Sequence, residues 1–107
     1  MRIALCEDDD VDRAHLESCV RAYCAERCID PLIDRFSCGE DFLAAGVVYD
    51  IVLMDIFMGG INGIEAVREQ RESSTSQVVF TTVSRDHAIE AFGMNAAHYL
   101  VKPIDQR

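Results

Sequence analysis

The sequence predicts an α/β protein: one doubly wound parallel sheet of five strands, in the order 2-1-3-4-5, with helices on both faces. Three observations carry the prediction. Short apolar runs alternate with stretches of helical periodicity along the whole chain. The connections between them are brief, as crossovers that lay helices over a parallel sheet require. A length of 107 residues holds a single domain with enough core to stand without disulfides or structural metals.

The elements follow in order. "RIALC" (2–6) is an apolar run stopped by acids and reads as the first strand. From Asp9 or Asp10, Val11, Leu16, Val20, Tyr23 and Cys24 recur at helical spacing, and this helix fades around Cys28, before the Asp30-Pro31 step. "PLIDRFS" (31–37) is the second strand. Ser37 stands three residues before Glu40, a capping-box pattern that opens a helix through "EDFLAA", with Gly46 near its end.

"DIVLMD" (50–55) is continuously apolar up to its last residue, as a strand covered on both faces should be. Residues 56–63 hold three glycines and an asparagine and form a loop; "GIEAVREQRES" follows as a helix with Ile64, Val67 and the stem of Arg71 turned inward. "QVVFTTV" (77–83) is the fourth strand, "DHAIEAFGM" (86–94) a short helix, and "AHYLV" (97–101) the fifth strand. A final helix is missing from this pattern, so residues 1–107 are expected to be one domain that stops before its last helix.

Composition narrows the function. Half the residues are hydrophobic and 27% charged, an ordinary globular balance. A net charge of −9 and a pI near 4.6 argue against nucleic-acid binding by this domain, which needs a basic face. No apolar run approaches the length of a bilayer span, and the start "MRIALCEDDD" turns acidic too early for a signal peptide; the expectation is a soluble, cytoplasmic domain with no membrane partner. Five cysteines form no disulfide framework. Cys19, Cys24 and Cys28 share a helical wheel with His15, but small thiols filling a helix face account for them, and His15, His87 and His98 read as structural or surface residues.

The chemistry lies in the acids. In open parallel α/β sheets functional groups gather at the carboxyl ends of the strands. Strand 1 delivers Glu7 and Asp8, strand 3 ends at Asp55, strand 4 delivers Thr82 and strand 5 delivers Lys102. Strands 1 and 3 are neighbours in the expected order, so Glu7, Asp8 and Asp55 converge. Carboxylates crowded in this way demand a counter-ion, and a hard divalent cation such as Mg²⁺ meets that demand. With Lys102 beside it, the site could hold a phosphoryl group near Asp55.

These residues carry a resemblance. Glu7-Asp8 after strand 1, Asp55 in "LMDIFMGGINGIEA", Thr82 in "VVFTTVS" and Lys102-Pro103 in "HYLVKPI" resemble the receiver domain of bacterial two-component response regulators, a flavodoxin-like fold, over essentially the whole chain. "ALCEDD" and "DHAIEAFGMNAAHYLVKPI" most resemble receivers that precede a LytTR-type DNA-binding domain. The resemblance implies that Asp55 accepts a phosphoryl group from a histidine kinase in a Mg²⁺-dependent reaction and that an output, transcription through a LytTR-type domain, is switched. It implies Mg²⁺ ligation by Asp8, Asp55 and the backbone carbonyl of Phe57, with Glu7 acting through water. Lys102 neutralises the phosphoryl group, Thr82 and Tyr99 form the switch pair, and Lys102-Pro103 is a candidate cis peptide. A homodimer through the helix at 86–94 and strand 5, involving Ile89, Phe92 and Tyr99, is a further expectation, and DNA binding belongs to the output domain.

The chain departs from the family pattern at three places: Glu7 for the common Asp, Gly59 for a frequent Pro, and Val83 for a small residue. Phe57, two residues after the acceptor position, is bulky, which implies slow autodephosphorylation. The alternative reading is a receiver-like interaction module that works without phosphorylation; the intact set of Glu7, Asp8, Asp55, Thr82 and Lys102 speaks against it. A phosphohydrolase with an aspartate nucleophile would want an acid at position 57, where Phe stands. The domain is therefore expected to catalyse only its own phosphotransfer and dephosphorylation.

Overall fold

A computed structural model describes residues 1–56, 62–70, 76–82 and 98–101, the last four and Gln70 by their backbone. Five parallel strands form one sheet in the order β2-β1-β3-β4-β5, as the sequence predicts: β1 (Arg2–Cys6), β2 (Leu32–Phe36), β3 (Ile51–Asp55), β4 (Gln77–Thr82) and β5 (His98–Val101). Among the described residues three helices lie between them, α1 (Asp10–Glu26), α2 (Gly39–Ala44) and α3 (Gly63–Gln70). The helix expected at 86–94 and the segment after Val101 fall outside the described residues.

Register fixes which side chain faces where. Ala4 pairs with Val52 and Val52 with Val78; Cys6 pairs with Met54 and Met54 with Phe80. These residues share one face and form a core with Phe42 of α2 and Ile64, Ala66 and Val67 of α3. The alternate residues Ile3, Leu5 and Leu53 face α1 and pack with Leu16 and Cys24, with Val79 at the margin. Each central strand is thus apolar on both sides, which is why the sequence shows continuous rather than alternating hydrophobicity there.

Helix α1 begins at an Asp9 N-cap, whose carboxylate accepts from the amides of Val11 (2.9 Å) and Asp12 (3.0 Å). It buries the stripe Leu16, Val20 and Cys24. Two residues expected on that stripe lie off it. Val11 is 77% exposed, because at 100° per residue it falls opposite the stripe. Tyr23 is 52% exposed and stacks under the Arg27 guanidinium, 3.6 Å from its ring centroid. The helix ends in a Schellman motif: the Ile29 amide reaches the Cys24 carbonyl (2.9 Å), the Cys28 amide reaches Ala25 (3.3 Å), and Cys28 takes φ of 57°.

The capping box expected from Ser37 and Glu40 does not form. The N-cap of α2 is Cys38, which makes no side-chain cap bond. The phase of this short helix is set instead by Phe42, which packs edge-on to Phe36 at 5.8 Å and stacks on Tyr49 at 6.1 Å. Gly46 follows α2 at φ of 63°, as its position near the helix end foretold. At the amino edge of the sheet the buried Tyr49 donates its hydroxyl to Asp34 (2.7 Å), which Arg2 also contacts at 3.3 Å. Burial and the adjacent Asp34 carboxylate push the Tyr49 phenol well above its ordinary range.

Candidate functional site

The carboxyl ends of β1 and β3 lie side by side at the centre of the sheet, and the acids cluster there. Carboxylate oxygens of Glu7, Asp8 and Asp55 all lie within 4.8 Å of one another. Glu7 is 1% and Asp55 3% exposed, whereas Asp8 faces solvent. Burying two of three like charges is costly unless a counter-charge or donors meet them.

Local bonding holds these acids in place. The Glu7 amide continues the β1–β2 ladder to the Phe36 carbonyl at 3.0 Å. Its carboxylate accepts from the Asp9 amide at 3.2 Å, and its carbonyl accepts from Arg13 Nη1 at 2.8 Å. Arg13 Nη2 also reaches Asp10 at 2.5 Å, so one guanidinium ties the first turn of α1 to the end of β1. Sequence reasoning passed over Arg13, although it lies in phase with Leu16, Val20 and Cys24, a position where a charged residue has to find a partner.

Asp55 pairs in register with Thr81 of β4, and Ile56 continues the ladder through its amide to the Thr81 carbonyl at 3.1 Å. The chain returns at Gly63, whose amide donates to the Ile56 carbonyl at 2.9 Å, and α3 starts from Asn62, whose side chain accepts from the Glu65 amide at 2.9 Å. Gly63 passes directly against Asp55. A Cβ there would lie 2.1 Å from the Asp55 carbonyl oxygen, a contact no side chain tolerates. Of the glycines in this loop, Gly63 is the one described, and it makes room for Asp55 itself.

Of the other expected site residues, Thr82 is fully buried at the end of β4, one residue past the partner of Asp55. Tyr99 lies on β5 in register with Phe80, and Val101 with Thr82; the Tyr99 side chain falls outside the described residues. Phe57, Gly59, Val83, His87, Ile89, Phe92, Lys102 and Pro103 also fall outside them. The structure thus brings Glu7, Asp8 and Asp55 together, with Thr82 on the neighbouring strand end. On α1, His15 Nε2 lies 3.8 Å from the Cys19 sulfur, one turn apart, while Cys24 is turned into the core. The three carboxylates are the one group of potential metal ligands among the described residues.

The donor set fits a hard divalent cation: three carboxylates from two adjacent strand ends, oxygen atoms only, with two of them withdrawn from water. A parallel sheet that collects such acids where two central strands end defines a doubly wound α/β domain with its site in the crevice at the strand tips. The chain belongs to the response regulator receiver domain family, whose profile it matches over residues 3–107. Receiver domains are signalling domains, phosphorylated by histidine kinases, and bind Mg²⁺ in an acidic pocket.

Relatives agree. The chain is 33% identical over 111 residues to the regulatory protein VanRB of Enterococcus faecalis, covering all of this chain and 48% of that protein. It is 35% identical over 60 residues to the sensory transduction protein LytT of Oceanobacillus iheyensis, covering 53% of this chain and 24% of that one. The response regulatory domain of protein mrkE from Klebsiella pneumoniae superposes with a TM-score of 0.86 at 23% identity, covering 99% of this chain and 86% of that domain. The chain therefore spans less than half the length of the curated relatives named here. Among the described residues no helix is long and apolar enough to cross a membrane.

Proposed function

We propose that residues 1–107 act as the phosphoacceptor of a two-component response regulator, taking a phosphoryl group on Asp55 from a histidine kinase in a Mg²⁺-dependent reaction. The observation that carries this is the meeting of the Glu7, Asp8 and Asp55 carboxylates within 4.8 Å at two adjacent strand ends.

An Asp55 carboxylate oxygen attacks the phosphorus of the donor, the phosphorus–nitrogen bond to the kinase imidazole breaks, and the imidazole leaves as a neutral ring after taking a proton. Asp8, Asp55, the Phe57 carbonyl and Glu7, the last through water, would hold the metal, which supplies positive charge against the phosphoryl oxygens. Lys102 adds a fixed cation. Arg13 and the Asp9 cap keep Glu7 and Asp8 from swinging away while the pocket loads. Thr82 then offers its hydroxyl to the phosphoryl group, and its movement, matched by Tyr99, alters the surface formed with strand β5.

For the output we infer transcription regulation through a LytTR-type DNA-binding domain in the same regulator, with a dimer of receivers through the helix expected at 86–94 and β5. The likeness to LytT supports that reading. The bulky residue type at position 57, two residues after the acceptor, supports slow loss of the acyl phosphate.

Incubation with acetyl phosphate and Mg²⁺, followed by intact mass, tests the central step. One phosphoryl group is gained by the native chain and none by Asp55→Asn or in excess chelator. A native chain that gains nothing under these conditions is an interaction module, not a phosphoacceptor.

A further inference from the structure

Asp55 and Thr81 occupy registered positions on adjacent strands, so their side chains leave the sheet on the same face. The apolar clusters give the same parity: Leu5, Leu53 and Val79 face α1, whereas Cys6, Met54 and Phe80 face α2 and α3. Thr82, one residue further along β4, therefore faces the opposite side. Thr81 is fully buried, and its Oγ1 makes no hydrogen bond among the described residues. A strand position that needed only a β-branched shape would be served by valine without the cost of a stranded hydroxyl. Buried hydroxyls left in this state hold a water or serve a neighbouring site.

The neighbour here is Asp55, about 4.8 Å away across the strand spacing. Its carboxylate is acceptor-only when ionised, and a water between the two side chains can donate to it while engaging the Thr81 hydroxyl. Resting on the reading of Asp55 as phosphoacceptor, we propose that Thr81 is a positioning residue: through one buried water it holds the Asp55 carboxylate so that one oxygen is turned away and the other faces the incoming phosphorus. Thr81 then orients the acceptor from the face that it shares with Asp55, while Thr82, the last residue of β4, answers the phosphoryl group from the strand tip. Orientation of a nucleophile acts on rate with little effect on stability.

The test compares Thr81→Val, which keeps shape and loses the hydroxyl, with Thr81→Ser, which keeps the hydroxyl. T81V is expected to unfold at a midpoint no lower than the native chain, yet to take phosphate from acetyl phosphate with saturating Mg²⁺ at least threefold more slowly. T81S is expected within twofold of the native rate. Crystals of the native chain and T81S should show a water bridging residue 81 and Asp55 that T81V lacks. A T81V rate equal to the native rate, where the native chain is phosphorylated, overturns the proposal, as does a native crystal without the bridging water. A native chain that accepts no phosphate fails the reading of Asp55 instead. The crystal then decides the hold of Thr81 by itself: the water present supports it, and its absence overturns it.

Discussion

Gly63, the first residue of α3, is pressed against the backbone of the acid it serves: a Cβ on it would meet the Asp55 carbonyl oxygen at 2.1 Å and the Met54 side chain at 2.8 Å. The amide of the same residue holds the Ile56 carbonyl at 2.9 Å. One glycine thus sets how closely α3 approaches the end of β3, and the approach fixes the height of Asp55 at the crevice.

Gly63→Ala is the direct consequence. The obstacle is main chain, so no rotamer relieves it; either α3 moves out or β3 bends. Overpacking of this kind costs about 1–3 kcal/mol and occasionally more. The urea midpoint is expected to fall accordingly, and phosphorylation by acetyl phosphate to drop at least tenfold, because the displaced group is the proposed acceptor. A variant with native midpoint and native rate would show that the loop absorbs the methyl group freely.

Asp8 gives the second prediction, in which stability and function move in opposite directions. It is the exposed member of an otherwise buried acid cluster, so removing its charge relieves repulsion without opening a cavity. Metal-free Asp8→Asn should melt at or above the native temperature. Millimolar Mg²⁺ should raise the native melting temperature by mass action and leave that of the variant nearly unchanged. Thermal melts with and without the ion read both effects.

The third prediction concerns pH and the link between α1 and β2. Glu17 accepts hydrogen bonds from Arg35 and, at 2.8 Å, from Arg21. The Arg35 bonds, foremost, hold its carboxyl down to about 2 from an ordinary value of 4.5, against a smaller opposing effect of burial. A carboxyl depressed in the folded state binds its proton first in the unfolded state. Its stabilisation is therefore complete above about 4.5 and is lost as pH falls toward 2. Both guanidinium groups are about half exposed, so the gain is below about 1 kcal/mol and screened by salt. Chemical denaturation should show the native chain more stable than Glu17→Gln at pH 6 and the difference closing between pH 4.5 and pH 2.

Much of this arrangement was legible in the residues. Strands covered on both faces write continuous apolar runs, so β1, β3 and β4 could be placed closely, and the strand order then forced Glu7, Asp8 and Asp55 to one crevice. What escaped was set by contacts that a one-dimensional pattern does not carry. Val11 fits a helical period but sits half a turn from the stripe that meets the sheet. The Ser37 and Glu40 pair has the spacing of a capping box, yet aromatic packing by Phe42 phases α2 and Cys38 becomes the cap. Arg13 looks like any surface charge until the Glu7 carbonyl appears beside it. Thr81 and Thr82 are identical residues in adjacent positions, and only strand parity shows that they face opposite sides of the sheet.

The end of α1 supplies a last prediction, because a cysteine stands where the geometry asks for glycine. Cys28 adopts φ of 57° at the C′ position of the Schellman motif, while the Ile29 amide closes on Cys24 and the Ile29 side chain packs against the α1 core. For an L-residue with a Cβ the left-handed region costs about 1–2 kcal/mol. Glycine escapes that cost and gives part of it back through the greater freedom of its unfolded chain, by about 0.5–1 kcal/mol. Cys28 is exposed, so replacing its side chain leaves no cavity. Cys28→Gly is therefore expected to stabilise the domain by about 0.5–1 kcal/mol, read as a higher urea midpoint with unchanged slope. Cys28→Val should do the reverse, since branching at Cβ worsens the same clash. Equal midpoints for the two variants would mean that the motif relaxes to a right-handed turn when its occupant changes, and the hydrogen bond from Ile29 to Cys24 would then be lost in both.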